Sequence, residues 1–140
     1  MLPLLDPTLY SETGTDALPD APALRAVRSP DGHIGFPPQR YGCQVSGSSG
    51  DALQDVLLTG RGRLRAIATV HLHAQPVPAV PFTVVEVALD DGPVVRGLLS
   101  ENQPLPLEHG TELITRLEDT VDATGRKVRA LRFAVAAARD

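Results

Sequence analysis

From Gly60 to its end the chain breaks into five short stretches in which apolar and polar residues alternate, each closed by glycine, proline or aspartate. This period of two constrains the fold more than any other feature, because side chains on a strand point alternately to opposite faces while a helix buries every third or fourth position. "RLRAIATVHLH" (63–73) sets Leu64, Ala66, Ala68, Val70 and Leu72 against Arg63, Arg65, Ile67, Thr69, His71 and His73, the pattern of a half-buried strand. "FTVVEVALD" (82–90) and "VVRGLLS" (94–100) are β-branched and flank "DDGP", where Gly92 can take a positive φ, so they should pair as a hairpin. "TELITRLED" (111–119) places Leu113, Thr115 and Leu117 opposite Glu112, Ile114, Arg116 and Glu118, and "VRALRFAVA" (128–136) follows the turn "DATGRK". Five antiparallel strands of this size remove their open edges best by curling into a small barrel. Gly97, inside the third strand, would allow the bend that closure needs.

Residues 1–59 read differently. They hold seven acidic and three basic groups, whereas the acidic and basic residues of 60–140 balance. Pro, Gly, Ser and Asp dominate, interrupted only by short apolar runs such as "ALRAV" and "DVLL", so this segment buries little by itself. It is expected to be an extended N-terminal arm with local turns, ordered by packing on something else. "GDALQDVLL" (50–58) is a weak candidate for one or two helical turns joining arm to barrel. A chain of 140 residues has room for one compact domain with such an appendage.

The formal charge of −4 and a pI near 5.5 give no general attraction to nucleic acid or an anionic membrane. The barrel offers only Phe82 and Phe133 as aromatics, too few for the stacking platforms of single-strand binders. No apolar run approaches the roughly 20 residues that span a bilayer, and "MLPLLDPTLY" lacks the basic start of a signal peptide. A single cysteine cannot form an internal disulfide, in keeping with the reducing cytoplasm that is the expected location.

Few residues have the spacing of a site. Cys43 has no adjacent base and reads as a packed or relic thiol rather than a nucleophile. His71 and His73 lie two apart on one strand face, but no third ligand is placed by sequence, so they read as an outer polar face. His33 and His109 fall in loops. Glu86 interrupts an apolar strand and should point outward, pairing with Arg63 or Arg65. "TGRGR" (59–63) lacks the lysine, hydroxyl residue and following helix of a P-loop, and reads as a turn feeding the first barrel strand.

The order of these signals resembles the DUF35 family, acyl-CoA-associated proteins in which a rubredoxin-like zinc ribbon precedes an OB-fold barrel. The matching pieces are "FPPQ" (36–39), Cys43, "LTGRGRL" (58–64) leading into "ATVH" (68–71), "PFTVVEVALDDGPVVRGLL" (81–99) and "HGTELITRLED" (109–119), in order over residues 24–135. The resemblance implies an all-β chain: a degenerate ribbon knuckle within residues 1–59, then a five-stranded OB-fold barrel over 60–140. In the family a Cys-x-x-Cys-Gly pair precedes the Phe-Pro-Pro element and a second pair follows it. Those positions hold Arg28, Asp31 and Gly32, then Cys43, Ser46 and Gly47. A structural zinc needs about four Cys or His ligands, so no zinc is expected. The resemblance further implies a noncatalytic accessory subunit of a thiolase-superfamily enzyme acting on acyl-CoA thioesters, with no activity alone. A companion of an acyl-CoA hydratase and a stand-alone acyl-CoA binding module are its alternatives. Phe36, Pro37, Pro38 and Tyr41 are the expected anchors for the partner, and Arg61, Arg63 and Arg65 the candidate contacts for the phosphates of coenzyme A.

Overall fold

The computed structural model of the chain describes residues 2–37, 53–74, 78 and 80–136, and all regular structure in them is β. Eight strands among these residues form two sheets. Three belong to the first segment: β1 (Leu24–Arg28), β2 (Ile34–Gly35) and β3 (Gln54–Leu58), in the order β2-β1-β3. Five make the larger antiparallel sheet: β4 (Arg61–Val70), β5 (Phe82–Leu89), β6 (Val94–Leu98), β7 (Glu112–Val121) and β8 (Lys127–Val135). Their order is β6-β5-β4-β7-β8. The sheet curls until its two ends meet through a parallel bridge between Leu99 and Phe133, supported by the Ser100 N–H donating to the Phe133 carbonyl at 2.7 Å. Antiparallel neighbours with a parallel contact at the seam are the Greek-key arrangement of an OB-type barrel.

The hairpin of β5 and β6 turns at "DDGP" with Gly92 at φ 115°. On β7, Leu113 and Thr115 are buried while Glu112 and Arg116 face solvent, as the alternation requires. Closure at the seam depends on Gly97 for a reason other than bending. A Cβ on Gly97 would lie 2.7 Å from Cε2 of Phe133, so glycine is needed to let that ring cross from β8 onto β6. Gly60 and Gly62 are likewise buried against Thr115 and against Val87 of β5, which makes "TGRGR" a packing element.

Three sequence expectations fail along β3, β4 and β5. A bulge between Leu64 and Ala66 shifts the β4–β5 register, and an extra residue in one strand reverses which side chains face inward beyond it. Leu64 is therefore in the core, but Ala66 and Ala68 are exposed and Leu72 stands 91 % exposed on the hairpin beyond. β7 pairs with β4 only at Arg61–Arg63, so among the described residues Ala66–Val70 has a strand partner on one side alone, β5. The same slip puts Ala66 opposite Glu86, whose carboxylate pairs with Arg96 of β6 at 3.4 Å and not with Arg63 or Arg65. The helical turn expected over 50–58 is, in its described part, strand β3, held in register on β1 from Leu24↔Leu58 to Arg28↔Gln54.

The first segment, expected as an arm ordered by packing on something else, packs in its described part on the barrel. Tyr10, Leu24, Ala26 and Leu58 belong to one buried cluster with Leu64, Val85, Val87, Val95, Leu113 and Phe133 of the barrel. Residues 9–13 run beside 23–25, through Ser11 N–H to the Ala23 carbonyl and Arg25 N–H to the Leu9 carbonyl. Residues 3–5 add to the free edge of β8, where Arg129 N–H donates to the Pro3 carbonyl and Leu5 N–H to the Arg129 carbonyl. The buried Thr115 hydroxyl reaches across from β7 to the Pro22 carbonyl at 2.6 Å. The described part of the first segment thus buries its apolar side chains against the barrel.

Candidate functional site

Besides the Leu99–Phe133 bridge, the Ser100 hydrogen bond and the packing of Gly97 on the Phe133 ring, the seam between β6 and β8 holds a cavity of about 480 Å³. Val95 and Leu98 of β6 form one wall, Leu131 and Phe133 of β8 the other, and Leu5 and Leu9 lie across it from the N-terminal segment. Pro78, from the loop after β4, and Thr120–Ala123, at the turn after β7, stand at its end. OB barrels commonly take ligands on the face of strands two and three with the loops after strands one and four; strand three and both loops line this cavity, strand two does not.

Two polar groups of the cavity were not anticipated. Tyr10 is buried, and its hydroxyl accepts the Asp6 N–H at 3.1 Å and donates to the Arg129 carbonyl at 3.2 Å. Burial raises its pKa. Arg132 is 9 % exposed. Its Nη1 donates to the Leu131 carbonyl at 3.0 Å, and desolvation pulls its pKa down against the longer-range attraction of Glu118 and Glu101. The signal for Arg132 was in the sequence: it shares strand parity with Val128, Ala130 and Ala134, all of them buried, so a charge there falls on a covered face. Tyr10 gave no such signal, because its burial depends on β8 and on β1, both remote in sequence.

The anticipated residues fall into separate places. Phe36 packs partly buried against the core cluster and, with exposed Pro37, lines the cavity. Pro38, Tyr41, Cys43 and Ser46 lie outside the described residues. Arg28 ends β1 and is exposed. Asp31 sits in the β1–β2 turn, where its carboxylate accepts from the Ser29 hydroxyl and from His33 N–H, and these bonds, Ser29 first, hold its pKa low. That knuckle position is thus held by a carboxylate-capped turn. Among the described residues no group of three or more His, Cys, Asp or Glu is placed to hold a metal. His73 instead meets Phe82 edge-on at 5.1 Å.

Arg61, Arg63 and Arg65 share the outer face of β4, the middle strand of the sheet, on the far side of the barrel from the seam. Arg61 is already engaged, 2.7 Å from Asp90 and 3.7 Å from Glu112. Arg63 donates to the Gly110 carbonyl at 3.2 Å, and Arg65 is exposed. The structure therefore does not bring the three arginines and the cavity together into one site. No helix among the described residues is long and apolar enough to cross a membrane.

No family model and no curated protein matches the chain. It is similar to a chain of a solved structure described as "Ltp2-ChsH2(DUF35) aldolase", with 20% identity, a TM-score of 0.59, and coverage of 79% of this chain and 84% of that chain. At this identity the likeness is one of fold: the chain has a DUF35-like fold over most of its length.

Proposed function

We propose that the protein is a noncatalytic accessory subunit of a thiolase-superfamily enzyme acting on acyl-CoA thioesters, and that it stabilises or completes the partner's active assembly. The observation that carries this reading is the fold shared, over most of both chains, with a chain of an aldolase complex whose description names DUF35. Among the described residues no serine or threonine hydroxyl is hydrogen-bonded to a histidine imidazole; the Ser29 hydroxyl reaches His33 only at its backbone carbonyl. In this reading Phe36, Pro37, Pro38 and Tyr41 dock on the partner, and the coenzyme A phosphates meet Arg63 and Arg65, since Arg61 is neutralised by Asp90. The carbon–carbon chemistry belongs to the partner's residues. No zinc takes part.

A tagged pull-down from native extract, with mass spectrometry of what copurifies in gentle salt, tests the proposal. The expected result is a stoichiometric thiolase-like protein whose acyl-CoA turnover falls when this chain is removed and returns when it is added back. Recovery of a stable monomer alone, with a melting temperature that rises on adding a coenzyme A thioester, would favour a free acyl-CoA binding module.

A further inference from the structure

We propose that the seam cavity binds a small amphipathic carboxylate, an apolar body with one terminal carboxylate, whose head pairs with Arg132. A guanidinium offers five N–H donors in a planar fork, and Arg132, nine-tenths buried, makes one bond, to the Leu131 carbonyl. Among the described residues no ion pair within 4.0 Å reaches it. Glu118, the nearer acid on β7, is taken by Arg116 at 3.1 Å and by the Ser100 hydroxyl. No fully buried side-chain nitrogen among these residues is left without a partner, so the other donors of Arg132 open onto accessible space, and Arg132 lines the cavity. A buried cation without a counter-ion is costly to keep, and a carboxylate seated on its fork would offset that cost with two parallel bonds.

The remaining lining selects the rest of the ligand. Leu5, Leu9, Val95, Leu98 and Phe133 give an apolar trough, and about 480 Å³ is a volume typical of small-molecule sites. Two further charges oppose a second anionic group. Asp6 and Asp122 both line the cavity; Asp122 is partly balanced by Arg126 at 3.5 Å, and Arg96, the other cation of the lining, is paired with Glu86. One carboxylate at Arg132 is accommodated, while a phosphate or dicarboxylate meets these acids. Phe36 and Pro37 border both this cavity and the proposed docking surface, but ligand binding is read on this chain alone, so the site stands or falls separately from the accessory-subunit reading.

Calorimetric titration of the purified full chain with decanoate, 1-decanol and decanedioate tests the proposal without any variant. Decanoate is expected to bind saturably at one site, about tenfold or more tighter than the uncharged alcohol or the dianion. Equal binding of decanoate and decanol, or no saturable binding of decanoate, would overturn it. Arg132→Gln should abolish the preference for decanoate over decanol. Leu98→Trp, which fills the trough and leaves Arg132 in place, should remove binding of both. Decanoate binding unchanged in a folded Leu98→Trp protein would place the ligand elsewhere and sink the idea.

Discussion

At the scale of single residues, the seam rests on one pair. Gly97 and Phe133 come from strands at opposite ends of the sheet and are in contact only because glycine has no Cβ. Gly97→Ala would force the Phe133 ring from a fully buried position, and overpacking of this kind costs about 1–3 kcal/mol. Urea unfolding should show a lower midpoint with an unchanged slope. An unaltered midpoint would mean that the ring has room to move and that the seam is looser than described. Gly97 was legible in the sequence as a residue for barrel closure, but not the ring that requires it. Arg132 was legible only as a charge at a covered strand position, since its partners are set by the packing around β8.

At the scale of elements, short turns with side-chain caps do much of the work that regular hydrogen bonding does within the strands. In the β7–β8 turn the Asp122 carboxylate accepts from the Thr124 hydroxyl and from the N–H groups of Thr124 and Arg126. These bonds, the Thr124 hydroxyl first, hold its pKa below the usual carboxylate range. Because the folded value is depressed, the stabilisation is fully present above the unfolded value of about 3.9 and is lost as pH falls through the folded value. Asp122→Ala should therefore be less stable than the parent near neutral pH, and the gap should close as the pH is taken below about 3.9. A gap independent of pH, in melting temperatures taken across that range, would show that the carboxylate charge is not its source. The turn was legible from "DATGRK". The bulge in β4 was not, because the alternation of residues 63–73 continues through it and only the register against β5 reveals the slip.

At the scale of the whole molecule, two sheets share one core. Tyr10, Leu24 and Leu58 lie in the same buried cluster as Leu64, Val85 and Phe133, and the buried bond from Thr115 to the Pro22 carbonyl ties the sheets together. The chain should accordingly unfold in one transition, with coincident curves from near- and far-ultraviolet circular dichroism. Thr115→Val, which leaves the Pro22 carbonyl unsatisfied, should lower stability by about 1–3 kcal/mol without splitting that transition. Separate transitions for the N-terminal segment and the barrel would contradict a shared core.

What the sequence determined by itself is local: five strands, their turns, and the all-β class follow from a period of two and from turn residues, which act over a few positions of chain. The tertiary structure decided where the first segment goes, which strand slips by a residue, and that the arginines of β4 and the seam cavity stand on opposite sides of the barrel. Those outcomes depend on contacts between residues far apart in sequence, such as Tyr10 with Arg129 or Gly97 with Phe133. Such contacts form only once the sheet has curled, so no local pattern records them.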